Sequence, residues 1–182
     1  MRPLLSLQLE HRLLFDLTDA LDVFAEKLGG NGRVLPDSKA FAHVFREFVD
    51  RIHYEKEEQV LFPFLVRHGF DWNSQELVEM RSQHCHDRHL IEVLEYGAAR
   101  RCAHSCTSRR SLAATARALA KVQRRLSMSQ DIELFPRVVS SLDPEAKAQL
   151  GRELARFDRD TEDRALPLAN AIRGLITRHR RP

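Results

Sequence analysis

The sequence predicts an all-α fold, an up-down four-helix bundle with a C-terminal helical extension. Three observations carry that expectation: apolar residues recur at three- and four-residue steps through four long segments, Gly-, Pro- and Asn/Asp/Ser-containing breaks separate them, and no segment alternates with period two. With 182 residues and 43% hydrophobic content, the chain can bury one sizeable core without disulfides.

The first helix is expected over about residues 4–28, where Leu4, Leu7, His11, Leu14, Leu17, Leu21 and Phe24 share a face until Gly29-Gly30 stops it. The second begins with Asp37 or Ser38 as N-cap and carries Phe41, Val44, Phe45, Phe48, Val49 and Ile52 towards Leu61. Pro63 is expected to kink or end its main part, and Gly69 lies beyond its end. Asn73 or Ser74 caps a third through Leu77, Met80, His84, Ile91 and Leu94, fading in the polar stretch Arg100 to Ser111. A fourth runs from Leu112 through Leu119, Val122 and Leu126 to Leu134 and meets Pro136. Asp143-Pro144-Glu145 opens a fifth helix near 144–158, and a last one follows Pro167 over about 168–178. The expected organisation is residues 1–142 as the bundle and 143–182 as an extension packed on the same domain. Three roles are open to that extension: covering the bundle end, forming a homodimer interface, or extending the core. One internal echo links helices two and four, Glu58-Gln-Val-Leu-Phe-Pro63 and Asp131-Ile-Glu-Leu-Phe-Pro136, so that residue 63 aligns with 136.

The net charge of +3 and the pI near 9.0 arise partly from scattered basic pairs such as Arg100-Arg101 and Arg124-Arg125. Those pairs are mixed with 26 acids, without aromatic interleaving, so they read as solvated surface and no nucleic-acid partner is expected. No run approaches a membrane span, and Gln8, Glu10 and His11 interrupt the N-terminal apolar stretch too early for a signal segment, which places the chain in the cytoplasm and off the membrane. Cys85, Cys102 and Cys106 are an odd number of cysteines and read as reduced thiols. The spacing Cys102-Ala-His104-Ser-Cys106 has no Cys-x-x-Cys partner and reads as loop filler.

Chemistry concentrates elsewhere. His53 and Glu57 are one helical turn apart, about 40° round the helix and roughly 6 Å along it, so both can reach one metal. Alone, such a pair is more often a surface hydrogen bond. His11, however, lies between Leu7 and Leu14 on the apolar stripe of helix one, and His84 between Met80 and Ile91 on that of helix three. Three helices each turning an imidazole inward beside a carboxylate suit iron, zinc or manganese, because burying unsatisfied imidazole is costly. His86, in line with Leu90 and Val93, is the alternative inward histidine; His89 reads as surface, and His43 as core or surface. Phe41, Phe45 and Phe48 read as core stripe, and Trp72 as a packing residue at the start of helix three.

These residues resemble the hemerythrin-like (HHE) domain family. It has an inward histidine early in helix one, here within Leu9-Glu10-His11, a His-x-x-x-Glu pair before Leu-Phe-Pro on helix two, here His53-Tyr-Glu-Lys-Glu57 and Leu61-Phe62-Pro63, and a histidine on helix three. The resemblance covers about residues 4–140. It implies a non-heme di-iron site in a four-helix bundle, in proteins that bind oxygen, sense iron or redox state, or handle nitric oxide and iron delivery. The chain departs from that pattern in helix four, where Leu126 and Gln130 stand at the positions of the second His-x-x-x-Glu pair. Three outcomes follow: one metal held by His11, His53, Glu57 and His84; a di-metal site completed by Gln130, Asp131 or Glu133; or a bundle without metal. Asp131 and Glu133 would turn inward only through a shifted helix or a bulge before Pro136.

The preferred function is a small non-heme metal-binding protein that binds or senses iron, oxygen or nitric oxide. Its partner is a diatomic ligand such as dioxygen or nitric oxide, and no turnover is required. The alternatives are a di-iron enzyme with peroxidase-like or nitric-oxide-handling activity and a metal-free structural or interaction bundle. No Glu-x-x-His ferritin-type motif, phosphate-binding Gly-rich loop or HExxH zinc-protease motif is present.

Overall fold

The computed structural model describes residues 3–29, 35–99 and 106–180, without the side chains of 29, 35, 36, 106 and 107. Among them it has five helices and no strand. Helix α1 is Leu5–Gly29. Helix α2 covers 35–67: α-helical over Leu35–Val44, wound as π-helix over Phe45–Tyr54 and Glu57–Leu61, and α-helical again over Phe62–Arg67. Helix α3 is Gln75–Ala99. Helix α4 covers 106–141, with a π-helical stretch at Gln130–Leu134. Helix α5 is Pro144–Arg178.

The expected starts and stops hold in part. Ser74 Oγ accepts from the Leu77 amide at 3.5 Å, and Asp143 accepts from the Ala146 amide at 2.7 Å with Pro144 in the first turn. Gly69, at φ 91, takes the left-handed turn after α2 that a side chain would disfavour. Helix α2, however, starts at Leu35, before both expected caps, and Asp37 instead binds Arg178 and His179 from the end of α5. Helix α4 starts at Cys106, earlier than the apolar period shows, because its first turns are polar. Gly97 of α3 faces Leu112 of α4, where a Cβ would lie 2.8 Å from Leu112 Cδ1, so a side chain there would make that leucine methyl shift. Cys102 and His104 lie outside the described residues, and Trp72 is 42% exposed under the Arg81 guanidinium rather than packed inside.

Three prolines were expected to punctuate helices, and none ends one. Pro63 and Pro136 each follow a π-helical stretch, whose wider turn takes up the bond that the proline nitrogen cannot donate. The Phe62 amide reaches back to the Glu57 carbonyl and the Phe135 amide to the Gln130 carbonyl, five residues in each case. Pro167 is exposed within the single helix α5, so the 144–158 and 168–178 segments are one element. Water can meet the carbonyl left without a donor. The buried side chains of Leu150, Leu154, Leu168, Ile172 and Leu175 continue across the proline, each contributing about 1.5–3 kcal/mol of burial.

Helix α1 packs along α4, α2 along α3, and α3 along α4, while α5 lies on α1 and α2. One apolar core joins all five, including Leu14, Phe24, Phe45, Leu94, Leu119 and Ile172. Phe41, Phe45 and Phe48 are buried in it as expected. No helix among the described residues is long and apolar enough to cross a membrane.

Candidate metal centre

Within this apolar core sits a polar knot drawn from four helices. His11 of α1, His53 and Glu57 of α2 and His84 of α3 are all 0% exposed, and Gln130 of α4 is 1% exposed. Donor atoms of His11, His53 and Glu57 lie within 4.8 Å of one another. Glu57 stands at the centre with its two oxygens facing different ways. Oε1 is 3.8 Å from His53 Nε2, while Oε2 is 3.0 Å from His84 Nε2 and accepts from Gln130 Nε2 at 3.1 Å.

Each imidazole is held from behind by a carboxylate. His11 Nδ1 pairs with Asp131 at 2.9 Å, His53 Nδ1 with Glu10 at 2.8 Å, and His84 Nδ1 with Glu58 at 2.8 Å. For His11 and His53 a carboxylate on Nδ1 fixes the proton there and leaves Nε2 as a bare lone pair, the arrangement of a metal-bound histidine with its supporting acid, whereas His84 has a carboxylate at each nitrogen. The atoms left over agree: His11 Nε2, His53 Nε2 and Glu57 Oε1 are buried without a hydrogen-bond partner, as is Gln130 Oε1 beside them. Buried polar atoms are almost always satisfied, so the His11, His53 and Glu57 orphans, drawn together from two helices, fit a cation coordinated by imidazole and carboxylate. Aromatic packing sets the ring planes: His11 stacks on Phe135, and His84 on Tyr54 at 3.8 Å between centroids.

The electrostatics favour an anionic centre. Burial alone would raise the Glu57 carboxyl, but His53, His84 and His11 outweigh it and hold it at about 2. Burial opposes charge on His84, yet Glu57 and Glu58 outweigh it and shift its pKa upward. Behind His53, fully buried Lys56 bridges Glu10 and, at 2.5 Å, Asp158 of α5. Burial would lower the Lys56 pKa, but these two carboxylates raise it, so it stays charged. Helix α5 therefore reaches the outer layer of the site.

Beside His84 lies a second polar group. The Tyr54 hydroxyl is 2.5 Å from both Asp87 Oδ2 and Gln123 Oε1, and Gln123 donates to Ser127 at 3.3 Å. A phenol has one proton for two acceptors, so the chain of bonds balances when Asp87 is protonated. Burial pushes that carboxyl up to about 6, against the Tyr54 hydrogen bond.

Of the residues singled out in the sequence, His11, His53, Glu57, His84 and Gln130 meet in the knot. His86 and His89 are exposed, because only His84 continues the stripe of Met80 and Ile91, and His43 on α2 is exposed as well. Glu133 is exposed; Asp131 is part-buried and supports His11 from outside rather than joining the inner cluster. The bulge before Pro136 exists, and it turns Asp131 only that far. Glu10, Lys56, Tyr54, Glu58, Asp87 and Gln123 were not anticipated. Asp87 carried a signal, being one turn from His84 on the same face; Glu10 and Glu58 are merely neighbours of ligand positions, and nothing in the pattern marked Lys56 as buried.

The fold and the knot define a class, the helical bundle built around a buried histidine and carboxylate cluster. Residues 3–138 match the hemerythrin HHE cation-binding domain, and the chain belongs to that family. No curated protein and no solved structure matches the chain.

Proposed function

We propose that this chain is a cytoplasmic non-heme iron protein that holds one ion through His11 Nε2, His53 Nε2 and Glu57, with His84 on the far oxygen of Glu57. It binds a small diatomic ligand, dioxygen or nitric oxide, for binding or sensing rather than turnover. The observation that supports this reading is the set of buried, partnerless Nε2 and Oε1 atoms, each imidazole backed by an acid. Iron bound there would supply an open coordination position and a change of redox state. The residues do the rest: the carboxylates behind the histidines fix their orientation, the apolar core excludes water, and Lys56 compensates the charge of Glu10. A second ion has fewer donors, since Leu126 offers none and Gln130 a neutral carbonyl, which also weighs against a di-iron enzyme.

The test is the metal-to-protein ratio, by inductively coupled plasma mass spectrometry, of protein expressed with added iron, beside a His53→Ala/Glu57→Ala variant. About one iron per chain, lost in the variant, is the expected result. No stoichiometric metal in either sample would leave the metal-free bundle as the function.

A further inference from the structure

A buried site needs a way in for its ion, and three cavities reach residues that touch the knot. One, about 450 Å³ between α1 and α4, meets Asp131 but carries Arg12 on its wall, and Asp131 is already taken by His11. Another, about 550 Å³ between α1, α2 and α5, meets Glu10, which is neutralised by Lys56, and Arg159 and Arg173 line it. Arg12 offsets Asp131 in the first, and Arg159, Arg173 and Lys56 offset Glu10, Asp158 and Glu162 in the second, so neither carries a net negative charge, and both stop at the outer layer of the site.

The third, about 90 Å³ between α3 and α4, differs on both counts. Its lining includes Glu76, Glu79, Gln83 and Glu133 at the surface and Leu126 and Gln130 inside. Arg137, the one cation of that lining, is tied to Glu76. Glu79 accepts from Gln75 and Glu133 from Ser129, both neutral, and neither has a cationic partner among the described residues. Gln130 belongs to the inner knot: Nε2 holds Glu57 Oε2, and its buried Oε1 has no partner. Space of this size holds on the order of three waters, enough for an ion that has shed part of its hydration shell.

We propose that this α3–α4 cavity is the port through which a divalent cation reaches the centre, Glu79 and Glu133 drawing it in and Gln130 Oε1 passing it to Glu57. A glutamine suits that step better than a glutamate. Its carbonyl is a weak neutral donor, so the ion pauses there without being trapped, whereas the anionic Glu57 behind it binds tightly. Lys121 and Arg125 on the adjoining outer surface carry the opposite sign and set a brake on uptake. The proposal rests on the metal-binding reading above.

The experiment is stopped-flow uptake of cobalt(II) by the metal-free full chain, followed by the visible absorption of the bound ion. At low ionic strength, Glu79→Gln/Glu133→Gln should load at least about fivefold more slowly to an unchanged final stoichiometry, and the gap should close as salt rises. Lys121→Gln should load faster, and Glu162→Gln, an equivalent charge change at the α5 cavity, should load at the wild-type rate. Wild-type kinetics in the Glu79/Glu133 variant, or equal slowing by Glu162→Gln, overturns the port while leaving the metal site standing. No uptake by the wild-type chain overturns the metal-binding reading, and the port with it.

Discussion

Residues 10–63 and 83–136 trace the same helix pair twice, 73 positions apart: His11 aligns with His84, Glu57 with Gln130, Glu58 with Asp131 and Pro63 with Pro136. Glu57–Leu61 and Gln130–Leu134, aligned residue for residue, are both π-helical, whereas the π-helical Phe45–Tyr54 aligns with α-helix over 118–127. The support of the histidines agrees too, for Glu58 backs His84 while its counterpart Asp131 backs His11, each across to the other half. The chemistry then diverges. His53 aligns with Leu126, and Glu10, which backs His53, aligns with Gln83, so the second half lacks both a ligand and the acid that would have supported it. The π-helical turn before Leu-Phe-Pro is thus common to both halves, whereas the histidine and its backing acid belong to the first half alone.

The largest effect should come from restoring the second half. Gln83→Glu/Leu126→His/Gln130→Glu supplies the missing imidazole, its backing acid and a second central carboxylate, and should raise bound metal from about one ion per chain to about two. A ratio that stays at one would show that Asp87 and its partners, not absent ligands, exclude the second ion. A wild-type chain that already binds two would break the comparison outright.

Lys56 aligns with Ser129, and the pair contrasts a buried cation with an exposed hydroxyl. Lys56→Met leaves Glu10 and Asp158 facing each other without their shared ammonium and should cost about 3 kcal/mol in urea unfolding. Ser129→Ala should stay within about 0.5 kcal/mol. Equal effects would mean that the tie to α5 is not what holds Glu10 in place.

Asp87 aligns with Leu14, an acid where the first half has a core aliphatic. Its carboxyl is raised to about 6 in the fold from an ordinary 3.8, chiefly by burial, so folding favours the protonated form. Its contribution is complete below pH 3.8 and is lost as pH rises through about 6. Glu57 and Glu58, both held at about 2, act in the opposite sense, chiefly below their ordinary 4.5 and only weakly above it. Between pH 4.5 and 6 the metal-free protein should therefore lose about 1 kcal/mol of stability as pH rises, and Asp87→Asn should flatten that slope. A slope unchanged in the variant would assign it to another group.

Much of this was legible in the sequence because helical period is a strong signal where apolar residues fill it: α1, α3 and the inward sides of His11, His53 and His84 follow directly. Periodicity fails where backbone departs from 3.6 residues per turn or where a polar face starts a helix. It therefore missed the π-helical stretches that let Pro63 and Pro136 sit inside helices, the polar first turns of α4, and the unbroken α5, in which packing of Leu150 through Leu175 overrides Pro167. The outer layer was illegible for a different reason. Whether Glu10, Glu58 or Lys56 faces water or a partner depends on the neighbouring helix, and Lys56 is buried only because Asp158, over a hundred positions away, lies opposite it.

The smallest difference, and the one that locates the ion, lies between Glu58 and Asp131. Glu58 is held at both oxygens by Arg88, at 2.9 Å each, and is pinned whatever His84 does. Asp131 has only His11 among the described residues. Asp131→Asn keeps an acceptor for His11 Nδ1 but removes the negative charge that makes the imidazole a better donor, so metal should bind about tenfold more weakly in chelator competition. Glu58→Gln backs a histidine on the far oxygen of Glu57 and should shift affinity less than threefold. If Glu58→Gln proves the more damaging of the two, the ion sits on the His84 side of Glu57, and the second half of the bundle, not the first, carries the function.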